Sequence, residues 1–96
     1  MPEGLRPLVV IPTYQEAENI ATVLQRARAA LPAASILVVD DGSPDGTADL
    51  AEAVASEVGQ VEVLRRPAKA GLGSAYRAGF SRGIARGFDV LFEMDA

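Results

Sequence analysis

Apolar residues along this chain follow two alternating rhythms. Leu8-Val9-Val10-Ile11 is a short, mostly β-branched run stopped by Pro12, which predicts a buried strand. Ile20, Val23, Leu24, Ala27 and Leu31 then recur at helical spacing, and Pro32 ends that helix. Ile36-Leu37-Val38-Val39 predicts a second buried strand, and Asp40-Asp41-Gly42-Ser43-Pro44-Asp45-Gly46 after it reads as a loop. Thr47 is placed to cap a second helix with the stripe Leu50, Ala51, Val54, Ala55 and Val58, and Gly59 terminates it. Val61-Glu62-Val63-Leu64 alternates as a third strand. Leu72, Ala75, Tyr76, Gly79, Phe80, Gly83 and Ile84 form a third helical stripe, whose glycines would let the helix lie close on a sheet. Asp89-Val90-Leu91-Phe92 opens a fourth strand that runs into Glu93-Met94-Asp95-Ala96, and Phe80, Phe88 and Phe92 are assigned to the core.

The order β-α-β-α-β-α-β has no repeat and no linker. Strands joined by helices pair in parallel through right-handed crossovers, so the expected fold is α/β, a Rossmann-like parallel sheet with alternating helices. Ligands of such sheets bind outside the carboxyl ends of the strands, where the strand order reverses. The polar residues obey that geometry. Thr13, Tyr14 and Glu16 follow the first strand, Asp40 and Asp41 the second, Arg65, Arg66 and Lys69 the third, and Asp95 ends the fourth.

Composition narrows the chemistry. The 96 residues are 49% hydrophobic and 23% charged, enough for one small domain. Cys and His are both absent, so disulfides, thiolate or imidazole metal sites and histidine bases are excluded, and carboxylates, Tyr, Ser/Thr or Lys must do any acid-base or metal work. A net charge of −4 argues against nucleic acid as the partner. Apolar runs are too short to cross a bilayer, and the opening Met1-Pro2-Glu3-Gly4-Leu5-Arg6-Pro7 lacks the apolar segment of a signal peptide, so a cytoplasmic location is expected.

Four segments carry a family resemblance. Val10-Ile11-Pro12-Thr13-Tyr14-Gln15-Glu16 resembles the opening motif of family-2 glycosyltransferases of GT-A type. Val38 to Thr47, with its Asp40-Asp41-Gly42-Ser43-Pro44-Asp45-Gly46 core, is similar to their second motif in the form typical of polyprenyl-phosphate (dolichyl-phosphate) mannose synthases. Lys69-Ala70-Gly71-Leu72-Gly73-Ser74-Ala75-Tyr76 resembles the third. Glu93-Met94-Asp95-Ala96 resembles the first half of the Asp-x-Asp metal motif, and Gln15 stands where the family more often has Asn. The motifs occur in family order over nearly the whole chain.

The resemblance implies that residues 1–96 are the nucleotide-sugar-binding part of a glycosyltransferase domain, truncated within the metal motif. It implies a nucleotide pocket of Pro12, Tyr14, Glu16, Val39 and Asp41, joined by Asp95 and Ala96, with Asp95 as catalytic metal ligand for Mg²⁺ or Mn²⁺. The implied reaction moves mannose from GDP-mannose to a polyprenyl phosphate, with membrane contact only through the acceptor or a missing C-terminal part. The side-chain chemistry agrees: Tyr14 offers a flat face to a base, and ionised Glu16 and Asp41 accept from base or ribose donors.

Other readings stand beside these. Asp40-Asp41 could be a turn pair, and Arg65, Arg66 and Lys69 a solvated face or a phosphate contact. Gly71-Leu72-Gly73 does not make a dinucleotide motif, because Tyr76 stands where the third Gly belongs. The start of the third helix would favour an anion. Rival functions are transfer of another hexose, such as glucose from UDP-glucose, or to a different acceptor; a nucleotide-binding fragment without catalysis; and a receiver-type Mg²⁺-binding signalling domain built on Asp40, Asp41 and Asp95.

Overall fold

The computed structural model describes residues 4–96, so Met1, Pro2 and Glu3 of the opening segment lie outside it. All seven expected elements are present: β1 (Pro7–Thr13), α1 (Ile20–Ala30), β2 (Ser35–Asp40), α2 (Thr47–Val58), β3 (Val61–Arg65), α3 (Leu72–Ala85) and β4 (Val90–Glu93). The strands form one parallel sheet in the order β3-β2-β1-β4. β1 pairs in register with β2 from Leu8 opposite Ser35 to Thr13 opposite Asp40, and with β4 from Pro7 opposite Val90 to Val10 opposite Glu93.

The apolar runs of β1 and β2 are continuous rather than alternating because both faces of these strands are covered. Val9, Ile11, Ile36 and Val38 point to one face, against Ile20, Leu24 and Ala27 of α1 and Ala51 of α2. Leu8, Val10, Leu37 and Val39 point to the other, where Ala75, Tyr76 and Phe80 of α3 pack. Right-handed crossovers require this division. The chain steps outward from β1 to β2 to β3 with helices on one face, then returns across the sheet to β4 with α3 on the other. The order reverses at β1, and the switch-point crevice opens between the carboxyl ends of β1 and β4. A receiver domain would place β1 between β2 and β3; here β3 lies outside β2, which removes that rival.

Some expectations change. Leu50, Leu72 and Ile84 are 43%, 59% and 67% exposed, because the apolar stripes of α2 and α3 are wider than the strip of sheet each helix covers. The three phenylalanines are half-buried and packed against the two clusters rather than enclosed. The expected cap at Thr47 is also corrected. Gly46, with φ +86°, takes the cap position, and Thr47 is the first helical residue and fully buried. Asp45 accepts the Thr47 N–H at 3.1 Å and so does the capping, which frees the Thr47 hydroxyl for another task.

At the amino end of the strands, Arg28 donates to the carbonyls of Leu31, Pro32, Ala34, Val58 and Gly59. One guanidinium thus satisfies carbonyls at the C-terminal ends of both α1 and α2, where backbone acceptors lack helical partners and positive charge is favoured.

Candidate active site

The loop after β2 holds the loop after β1. Asp40, 2% exposed, accepts from the Thr13 hydroxyl at 2.7 Å, the Ser43 N–H at 2.9 Å and the Ser43 hydroxyl at 2.7 Å. This agrees with the turn reading for Asp40, whose carboxylate faces Thr13 and Ser43 and does not line the cleft described below. The alternating polar residues Ser43, Asp45 and Thr47 then take three successive backbone donors: Gln15 N–H bonds Ser43 Oγ at 2.8 Å, Glu16 N–H bonds Thr47 Oγ1 at 2.9 Å, and Ala17 N–H bonds Asp45 at 3.2 Å. Gln15 sits at φ +57°, a left-handed conformation that favours Gly or Asn, and these bonds maintain it. The Thr47 hydroxyl also donates to Asp45, whose pKa is lowered chiefly by that bond.

Tyr14 and Glu16, carried on this braced turn, line a cleft of about 290 Å³ together with Pro12, Asp41, Asp95 and Ala96. Lys69, Gly71, Leu72 and Ala75 close its far side, which puts the N-terminus of α3 in the wall. Residues from 12 to 96 thus meet at the crevice where the strand order reverses. Val39 alone of the expected pocket residues does not line the cleft; its side chain is fully buried under α3.

Asp41 and Arg66 form the principal charged contact. Arg66 Nε lies 2.6 Å from Asp41 Oδ1 and Nη2 3.1 Å from Oδ2, with the side chains 16% and 5% exposed. The Ala70 N–H adds a longer bond of 3.4 Å to Oδ2, and Arg66 Nη1 donates to Ser74 Oγ at 3.0 Å. A carboxylate offers roughly four acceptor positions, so three are engaged and one remains for a ligand donor. The pair therefore presets Asp41 and ties the end of β2 to the first turn of α3.

The three basic residues after β3 separate. Arg65 turns to the surface and pairs with Asp49 at 2.6 Å and with Glu52 on α2. Arg66 is committed to Asp41. Lys69 stays in the cleft, its Nζ 4.8 Å above the centre of the Tyr14 ring, a cation–π contact that lies over a face suited to a base.

Across the cleft, the Tyr76 hydroxyl donates to Asp95 Oδ1 at 2.9 Å. Burial first, then this bond to an anion, pushes the Tyr76 pKa up to about 12, further above neutral pH, where a tyrosine hydroxyl already keeps its proton. The partnerships of Arg28, Arg66 and Tyr76 escaped sequence reasoning. Only the Ser43/Asp45/Thr47 alternation left a legible signal, as a run of side chains able to accept backbone N–H groups.

A larger hollow of about 460 Å³ opens at the opposite, amino edge of the strands. Its charged side chains are engaged within the protein: Glu62 bonds Arg82 at 2.7 Å and also Arg86, and the Arg6 guanidinium donates to the Arg86 backbone carbonyl at 2.9 Å and lies over the Phe88 ring. Size favours that hollow. Convergence of unspent acceptors and an aromatic face favours the smaller cleft, which is the better candidate site.

Comparison with known proteins bears on the family and the fold. Residues 8–96 match glycosyl transferase family 2. The chain is 54% identical over 92 residues to an undecaprenyl-phosphate mannosyltransferase of Micrococcus luteus, covering 96% of this chain and 38% of that protein. It is 54% identical over 92 residues to a polyprenol monophosphomannose synthase of Mycolicibacterium smegmatis, covering 95% and 35%. A dolichol-phosphate mannosyltransferase of Pyrococcus furiosus is 43% identical over 90 residues, covering 92% and 24%. The chain therefore spans well under half the length of these relatives. Among solved structures, the mannosyltransferase PcManGT of Pyrobaculum calidifontis, in complex with GDP-Man and Mn²⁺, superposes with a TM-score of 0.68 at 20% identity, over 85% of this chain and 28% of that one, and so shares the fold. With the match running from β1 to the last residue, this chain belongs to glycosyl transferase family 2.

Proposed function

We propose that this chain is the nucleotide-sugar-binding part of an enzyme that transfers mannose from GDP-mannose to a polyprenyl phosphate. The observation that carries the reading is the meeting of Tyr14, Glu16, Asp41 and Asp95 in one cleft at the switch point. The names of the relatives at 54% identity support the sugar and the lipid acceptor.

In this reading the base lies against Tyr14 after Lys69 moves aside, and Glu16 and Asp41 accept from base and ribose donors. The diphosphate faces Lys69 and the N-terminus of α3, where the helix dipole favours negative charge. Asp95 is the group left for a divalent cation. Among the described residues no cluster of three His, Cys, Asp or Glu side chains could hold a metal. One carboxylate fits Mg²⁺ or Mn²⁺ where substrate phosphates complete the coordination, so these residues suit an ion that arrives with the nucleotide. Such an ion offsets the charge of the diphosphate and makes it a better leaving group. An oxygen of the acceptor phosphate bonds to the anomeric carbon as the bond from that carbon to GDP breaks, the electron pair leaving with the diphosphate. A phosphate anion needs no strong base, in keeping with a chain that has no His.

No described helix is long and apolar enough to cross a membrane. The reading puts the protein at the cytoplasmic membrane face, meeting lipid through the acceptor or through chain beyond these residues. Calorimetric titration of the full-length protein with GDP-mannose and UDP-glucose, each with Mn²⁺, tests it. Binding of GDP-mannose alone is expected; binding of UDP-glucose alone overturns the donor assignment.

A further inference from the structure

Of the three carboxylates described in the cleft, Asp41 is buried, Glu16 is half-buried and Asp95 is exposed. β4 ends at Glu93, the Met94 N–H makes a last bond of 3.1 Å to the Val10 carbonyl, and Asp95 itself is exposed. Neither packing nor the sheet sets the orientation of its side chain. Tyr76 does. The Tyr76 ring is half-buried in the first turns of α3, packed on the cluster of Leu8, Val10, Leu37, Val39 and Ala75, and stacked on Phe80 with centroids 6.0 Å apart and planes at 29°. From this anchored ring the hydroxyl reaches Asp95 Oδ1 at 2.9 Å, and the other oxygen, Oδ2, has no protein donor among the described residues.

We infer that Tyr76 is a positioning residue for Asp95: its core-anchored hydroxyl holds one carboxylate oxygen and thereby presents the other to the divalent cation that accompanies a nucleoside diphosphate. This rests on the reading of Asp95 as a metal ligand. Partners that orient a metal-binding carboxylate act by fixing its geometry, and their loss typically weakens metal affinity about 10–100-fold. The arrangement also couples the sheet core to the metal site through α3, the helix whose first turn is held to Asp41 by Arg66.

The test uses the full-length protein with Tyr76→Phe, which keeps the ring, its stack and its packing and removes one oxygen. Three quantities are read: Mn²⁺ affinity at saturating GDP, from the electron paramagnetic resonance of free Mn²⁺; GDP affinity in EDTA; and Tm. The expected result is an increase of about tenfold or more in half-saturating Mn²⁺, with GDP affinity in EDTA and Tm unchanged. Asp95→Asn is run in parallel. If Asp95→Asn binds Mn²⁺ as the wild type does, the metal-ligand reading itself falls, and the inference with it. If Asp95→Asn loses Mn²⁺ while Tyr76→Phe retains wild-type affinity, only the positioning role is overturned. A Tyr76→Phe variant that lowers Tm and weakens GDP binding equally with and without metal also overturns it, since that is the behaviour of a merely structural hydroxyl.

Discussion

The seating of α3 on the sheet turns on one missing carbon. A Cβ built at Gly79 would lie 2.4 Å from Val10 Cγ1, and 3.2 and 3.3 Å from Val39 Cγ2 and Val10 Cγ2. Carbon atoms in good contact sit about 3.5–4.0 Å apart, so the first of these gaps is short by more than ~1 Å. Val10 cannot retreat: it is fully buried in β1, the strand bonded on both sides, and its branched side chain has little rotamer freedom. The helix must lift instead, and it carries Leu72, Ala75 and Tyr76 at the cleft. Ala recovers about 1 kcal/mol of helix propensity over Gly, against about 3 kcal/mol for severe overpacking. Gly79→Ala is therefore expected to lose about 2 kcal/mol net. Two glycines in the same helix calibrate the measurement. At Gly73 the new Cβ meets only the Arg77 guanidinium at 3.3 Å, so Gly73→Ala should gain about 0.5–1 kcal/mol from propensity alone. At Gly83 it meets the ends of Leu8 and Leu91 at 2.7 and 3.0 Å, flexible groups that can turn aside, so the gain and the cost should nearly cancel. Urea unfolding of the full-length variants, followed by circular dichroism, should rank Gly73→Ala above wild type and Gly83→Ala, with Gly79→Ala lowest. Gly79→Ala at or above wild-type stability would refute the close-approach argument.

Other consequences are as direct. Arg66→Met leaves the buried Asp41 carboxylate without its cation and should cost about 3 kcal/mol, while the double variant Arg66→Met/Asp41→Asn should cost clearly less than the sum of the single changes; additive losses in a double-mutant cycle would show that the pair is not coupled. Asp41→Ala should weaken GDP binding with or without metal, whereas Asp95→Ala should weaken only the metal-dependent part, as calorimetry in Mn²⁺ and in EDTA would show. Because Asp45 has a lowered pKa in the folded state, its stabilising contribution is present above its ordinary value of 3.8 and disappears as pH falls through the lower, folded-state value. Asp45→Asn should thus be less stable than wild type at pH 7 and converge with it in acid; a gap constant from pH 7 to pH 2.5 would argue against the carboxylate's role. Arg28→Met should lower stability by about 2 kcal/mol by leaving helix-end carbonyls short of donors, measured as a fall in the urea midpoint with GDP affinity intact.

Much of this protein is legible along the chain. The runs at residues 8–11 and 36–39 are long enough and β-branched enough to be strands buried on both faces, and the stripes between them can only be crossover helices. Parallel pairing, right-handed crossovers and a ligand edge at the carboxyl ends then follow from stereochemistry shared by all L-polypeptides. That is why Tyr14, Glu16, Asp41 and Asp95, spread over most of the chain, are expected at one edge of the sheet, while the narrower pocket of Pro12, Tyr14, Glu16, Val39 and Asp41 is what the family resemblance implies. The choice of partner among side chains brought to the same edge depends on the tertiary structure. Asp40 and Asp41 are adjacent and chemically identical, yet strand pleating turns one inward to Thr13 and Ser43 and the other toward Arg66 and the cleft. Arg65 and Arg66 divide in the same way between the surface of α2 and the site. Tyr76 and Asp95, 19 residues apart, meet only because α3 returns across the sheet to the far side of β1. Periodicity reports which face a residue takes. Hydrogen bonds form over about 3 Å, and distances on that scale between separate elements are set by how helices seat on the sheet, by contacts as small as the missing carbon of Gly79.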